Sequence, residues 1–156
     1  MYKLIKPPTK LPESFRNTVF LAGSIEMGAA AYWQNTVAAQ FKDLDVTILN
    51  PRRDDWDSSW KQDISNDKFR EQVEWELTAL ERATYIIMYF DPLTKAPITL
   101  LELGLFSRMD PYKRLIVCCP GGYWRKGNVD IVCKRYGVKT VETLYDAVQE
   151  VRIYLK

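Results

Sequence analysis

From residue 18 onward the chain alternates between short, continuous apolar runs and longer segments in which apolar residues recur every three or four positions. The runs are TVFLAG (18–23), DVTILN (45–50), TYIIMYF (84–90), RLIVCC (114–119) and a shorter VKTV (138–141). Their length and lack of alternation predict buried strands. Between them lie 30–44, 66–83, 98–109, 128–137 and 144–155, which carry helical spacing. The 66–83 segment is expected to open at Asn66 or Asp67 as a cap and to turn Phe69, Val73, Leu77 and Leu80 toward the core. Pro97 suits the first turn of the helix that follows it. Residues 1–17, with Pro7, Pro8 and Pro12, read as an extended lead-in.

Strands buried on both sides that alternate with helices predict an α/β domain, a parallel sheet of about five strands covered on both faces. Ligands in such sheets sit beyond the C-terminal strand ends. Four loops converge there: GSIEMG, NPRRDDWD, DPLTKAP and CPGGYWRKGN. Their Gly, Asp, Arg, Trp and Asn content marks that edge as the place to look for chemistry.

Composition narrows that chemistry. The 156 residues suit one domain, with no second domain expected, and 22 basic against 20 acidic residues leave a net charge of +2. This gives no reason to expect a nucleic-acid polymer or an anionic membrane as partner. The three cysteines, two of them adjacent, match neither a disulfide framework nor a metal-binding spacing, so a reducing, cytoplasmic setting is expected. Neither a signal peptide nor a membrane span is expected. The chain has no histidine. Acid–base work then falls to carboxylates, Tyr, Lys or Cys, and neither a metal nor another cofactor is expected.

Gly23 and Gly28 precede a helix in neither the dinucleotide nor the nucleotide-triphosphate pattern. They read either as a tight turn or, with Ser24, as a place where a small ligand approaches the backbone. Glu102 stands among leucines in PITLLELGLFS. About one turn into its helix, it would gain from unpaired N–H groups and the positive helix end, which would keep it ionised near neutral pH. It reads as a charge that suits the helix or, with Gly104 beside it, as a carboxylate nucleophile facing a cleft. Glu76 falls near the apolar stripe of 66–83, whereas Glu71, Glu74 and Glu81 read as solvated or paired charges. Two carboxylates on one cleft can divide the roles of nucleophile and acid/base. Trp56 reads as a base-stacking or a loop-anchoring aromatic. Arg52 and Arg53 either face water or orient the site acids.

The motifs VFLAGSI, WELTAL, YFDPLTKAPITLLELGL and GYWRKGNVD resemble the nucleoside 2-deoxyribosyltransferase family, in its branch with the PITLLELG form of the nucleophile motif. The resemblance implies a flavodoxin-like, doubly wound domain that moves 2-deoxyribose between nucleobases through a covalent glycosyl ester, with retention. It implies that Glu102 is the nucleophile and Glu76 the acid on the side of the base. Asn128 would hold the sugar, supplied in some members by a neighbouring subunit. Two positions depart from the family pattern. Phe20 stands where some members have Tyr, and Ala96 where some have Asp; Asp91 is a candidate replacement. The partners implied are 2′-deoxynucleosides, free bases and further copies of the chain in a homo-oligomer with shared sites, with Tyr123, Trp124 and Ile131 suited to an interface. The alternatives are an N-glycosidase acting on nucleosides or nucleoside 5′-monophosphates, and a non-catalytic nucleotide-binding module.

Overall fold

The computed structural model describes residues 1–26, 32–108 and 114–155. Six parallel strands form one sheet: β1 (Lys3–Ile5), β2 (Thr18–Gly23), β3 (Thr47–Leu49), β4 (Tyr85–Tyr89), β5 (Arg114–Cys118) and β6 (Lys139–Val141). Among the described residues five helices connect them: α1 (Trp33–Ala39), α2 (Asp67–Arg82), α3 (Pro97–Phe106), α4 (Lys126–Tyr136) and α5 (Leu144–Arg152). The strand order is β1-β3-β2-β4-β5-β6. With the edge strand β1 set aside, this is the 2-1-3-4-5 order of flavodoxin-like sheets.

Strand side chains alternate between the two faces, so each apolar run feeds two cores. Val19, Leu21, Ile87 and Ile116 pack against Val37 and Phe41 of the α1 region and Ala147, Val148 and Val151 of α5. Phe20, Ala22, Ile86, Met88 and Val117 pack against Trp75, Ala79 and Leu80 of α2, Leu103 and Phe106 of α3, and Val129 and Cys133 of α4. The three cysteines are free and buried within these layers.

Two expectations change. Residues 1–17 do more than lead in: Lys3–Ile5 pairs with β3 and supplies the sixth strand. The rest of the segment lies over α2. Trp75 Nε1 donates to Thr9 O at 2.9 Å, and Arg82 donates to Glu13 O and sits 4.1 Å over the Phe15 ring. Helix α2 opens as expected, with Asn66 Oδ1 accepting the Phe69 N–H at 3.0 Å. Its buried stripe is rotated, however. The buried residues are Gln72, Trp75, Ala79 and Leu80, while Phe69, Val73 and Leu77 are only half-buried. Trp75 is the larger apolar anchor and takes the core side. This rotation brings Gln72 and Glu76 inward.

Candidate active site

The sheet order reverses between β2 and β4. The chain leaves β2 for β3 on one side and leaves β4 for β5 on the other, which opens a crevice at their C-terminal ends. Gly23 closes the floor. It has φ +153°, and a Cβ there would meet Tyr89 O at 2.5 Å and the Trp33 ring at 2.7 Å. The position therefore has a packing reason to be glycine. Gly28 lies outside the described residues. Ser24 ties the crevice together: its Oγ accepts from the Asp91 N–H at 3.1 Å and the Thr94 hydroxyl at 2.7 Å, and its carbonyl accepts from Trp33 Nε1 at 3.1 Å. Asp91 is buried, and its Oδ1 accepts the Leu93 N–H at 2.9 Å, shaping the loop that leads to α3.

That loop delivers Ala96, the residue before α3, in the left-handed region with φ 46° and ψ 53°. Three contacts hold it. Lys95 O accepts from Tyr123 Oη at 2.6 Å and from Trp124 Nε1 at 2.9 Å. The Ala96 N–H donates to Glu26 Oε1 at 2.6 Å. Glu26 also has a left-handed backbone, with φ 46°.

Helix α3 then starts at Pro97 and turns Thr99, Glu102, Leu103 and Phe106 inward. Glu102 is 7% exposed and accepts no hydrogen bond among the described residues. It is the sixth residue of the helix, past the first turn of free N–H groups, so the expected stabilisation of its ionised form is missing. Burial, and then the charge of Glu76, push its carboxyl up to about 8. Burial likewise pushes Glu76 up to about 7, opposed by a hydrogen bond from Gln72. Gln72 Nε2 donates to Glu76 Oε1 at 2.6 Å and to Pro51 O at 2.9 Å. The charge of Glu76 acts on Glu102, so the titration of Glu102 is linked to that of Glu76. Near neutral pH the pair keeps a proton, contrary to the expectation of an ionised Glu102.

The other expected residues divide. Trp56 packs edge-on against Trp60, with ring centroids 5.1 Å apart, and its buried indole N–H has no hydrogen-bond partner. Arg53 binds Asp55 and Glu71, neither of them a site acid, and stacks over Trp60. Arg52 lies 3.8 Å over the Tyr32 ring. Gln72, and not Arg53, orients Glu76. Asn128 is exposed in the first turn of α4 and makes no hydrogen bond among the described residues. Of the three residues suited to an interface, Tyr123 is buried against Phe90 as part of the core, while Trp124 and Ile131 are exposed. Phe20 is fully buried and packs toward Trp75.

Sequence reasoning missed Gln72 and Glu26. Gln72 stands one helical turn before Glu76, a spacing at which side chains meet. Glu26 is in the GSIEMG loop, but nothing in its spacing points across the fold to Ala96.

No helix among the described residues is long and apolar enough to cross a membrane. Among those residues no group of three or more Asp, Glu, Cys or His side chains is placed to hold a metal. A family model described as "nucleoside 2-deoxyribosyltransferase like" matches residues 16–123, from before β2 to the loop that pins α3. No curated protein matches the chain.

Proposed function

Because the chain belongs to the nucleoside 2-deoxyribosyltransferase-like family, we propose that it moves 2-deoxyribose from one nucleobase to another through an ester on Glu102. One observation carries this reading. Glu102 is a largely buried residue that accepts no hydrogen bond among the described residues, and the charge of a second acid, Glu76, acts on it. A carboxyl desolvated beside a second acid is costly to ionise, and such perturbed acids cluster at functional sites.

The chemistry follows from the pair. A Glu102 oxygen bonds to C1′ on the face opposite the base while the C1′–N bond breaks. The pair's one proton, held mainly on Glu102, passes to Glu76 as the substrate enters and leaves Glu102 as the attacking carboxylate; the bonding electrons leave with the base, whose nitrogen takes that proton from Glu76. Positive charge builds on the sugar ring in the transition state, and the Glu102 carboxylate stabilises it. The second base then attacks C1′ from the face that the first one left. The ester C1′–O bond breaks, its electrons return to Glu102, and the N–H proton of the incoming base passes to Glu76. Two inversions give retention. With no histidine in the chain, the shared proton of Glu76 and Glu102 fills the general-acid role. Gln72 keeps Glu76 aimed, and the pinned Lys95–Ala96 turn fixes where α3 presents Glu102.

The test is a product analysis. A 2′-deoxynucleoside is incubated with the protein, with and without a different free base. Exchange predicts a new nucleoside of unchanged anomeric configuration only when the acceptor is present. It also predicts a deoxyribosyl adduct on the peptide carrying Glu102 when the acceptor is left out. Release of base at the same rate with and without acceptor would establish the N-glycosidase instead. Binding without turnover would establish a nucleotide-binding module.

A further inference from the structure

We propose that Glu26 is a substrate-positioning residue whose free carboxylate oxygen accepts a hydrogen bond from a sugar hydroxyl, so that the site selects free deoxynucleosides over nucleosides phosphorylated at that hydroxyl. This rests on the transfer reading of the Glu102 site.

The geometry around Ala96 points there. A helix cap normally comes from Ser, Thr, Asp or Asn at the N-cap itself. Here the N-cap is Ala96, which has no capping side chain, and the carboxylate arrives from 70 residues away, from Glu26. Glu26 holds a left-handed backbone conformation that costs a non-glycine residue on the order of 1 kcal/mol. A side chain at 96 could not take over this contact, because an N-cap side chain accepts from the N–H groups two or three residues on and not from its own. Glu26 uses only Oε1 on the Ala96 N–H. Its Oε2 accepts no hydrogen bond among the described residues, and the side chain is only half-buried. An ionised carboxylate can accept about four hydrogen bonds, so most of its capacity is unused.

Its position relative to Glu102 sets the ligand. Ala96 and Glu102 are six residues apart, ~9 Å along a helix axis. Helical side chains lean toward the N-terminus, so Glu102 leans toward the end of α3 that Glu26 holds. With C1′ of a sugar held at Glu102, the ring's hydroxyl edge falls toward Glu26. A hydroxyl offers a proton to Oε2. A phosphate ester at neutral pH offers none and carries like charge. Glu102, nine-tenths buried and unpartnered, is the independent sign that a ligand enters this space.

Glu26→Gln separates positioning from capping. The glutamine carbonyl still accepts the Ala96 N–H, so the fold should keep its melting temperature within a few degrees. The second oxygen becomes an NH₂ donor and can no longer accept. Kinetics are measured on 2′-deoxyadenosine, its 3′-deoxy and 5′-deoxy analogues, and the matching 3′- and 5′-monophosphates. On wild-type protein one of the two analogues should lose about tenfold to a hundredfold in kcat/KM, mostly through KM. In Glu26→Gln that loss should fall below about threefold, and the monophosphate at the same position should gain relative to the nucleoside. Glu26→Gln kinetics equal to wild type, or analogue losses unchanged by the substitution, would leave Glu26 as a cap only and overturn the proposal. If wild-type protein turns over none of these nucleosides, the transfer reading fails first, and this proposal falls with it.

Discussion

Gln72 and Glu76 face each other across one turn of α2, and the Gln72 amide reaches Glu76 Oε1 at 2.6 Å while holding Pro51 O at 2.9 Å. One side chain thus ties the general-acid candidate to the end of β3. Gln72 favours the ionised form of Glu76, opposing the larger effect of burial. In Gln72→Leu that opposition is gone, and Glu76 should hold its proton to higher pH. Glu76 is the lower of the two acids, so the acid limb of the kcat/KM profile is expected to move upward more than the alkaline limb. Identical pH profiles in the two proteins would show that Gln72 does not act on the titrating acid.

The pair itself sets where the protein works. Transfer needs one proton on the two acids: with two, Glu102 cannot attack, and with none, the base leaves unprotonated. Both carboxyls are lifted well above the ordinary carboxylate range, to about 7 and about 8. A bell-shaped rate profile centred between neutral and mildly alkaline pH is therefore expected. A profile peaking near pH 5, where ordinary carboxylates titrate, would refute the coupled pair.

The same lift has a cost in stability, with a definite sign. An acid whose folded-state pKa is raised adds stability below its unfolded value of about 4.5, and this is lost as pH rises through the folded value of about 8. Glu102→Gln carries no such charge. Its thermal stability should match wild type near pH 4.5 and exceed it increasingly up to pH 8, by on the order of a few kcal/mol. Exchange by this variant should fall by several orders of magnitude. A variant less stable than wild type at pH 8 would mean that the carboxylate is stabilised by its surroundings.

Loss of Glu76 should depend on the leaving group. Glu76→Ala is expected to slow natural purine deoxynucleosides by about 10²–10⁴-fold, with a much smaller effect on a nucleoside whose base leaves without protonation. Equal losses on both substrates would make Glu76 structural.

Assembly is open to a direct test. On α3, Ile98, Leu101 and Leu105 are 59%, 60% and 51% exposed, an apolar strip beside the turn that carries Glu102. Asn128 is exposed on the neighbouring α4. A homo-oligomer is expected, in which one subunit closes the crevice of another and keeps water from the ester. Mixing inactive Glu102→Ala with inactive Asn128→Ala subunits should restore part of the activity. Failure to regain activity after confirmed subunit exchange, or full activity in a monomer, would rule out a shared site.

The one-dimensional pattern was enough for the layered α/β fold. A strand buried on both faces must be apolar throughout, a surface helix must carry a stripe, and both leave a signature within a few residues of each other. TVFLAG matches β2, and Asn66 caps α2 as its residue type suggests. The short edge strand Lys3–Ile5 left no such signature, because three half-solvated residues have no two-faced burial to display. Glu102 stood out because a carboxyl among leucines conflicts with its own surroundings. Its protonation did not, since that depends on how many helix residues precede it and on how closely Glu76 approaches through space. The rotation of α2 was equally hidden: Phe69, Val73 and Leu77 form a stripe as regular as the one that packs, and the bulk of Trp75 against the sheet decides between them. The contact of Glu26 with Ala96 lies furthest from the linear record. It joins two loops 70 residues apart, and only the parallel pairing of β2 with β4 brings their ends together.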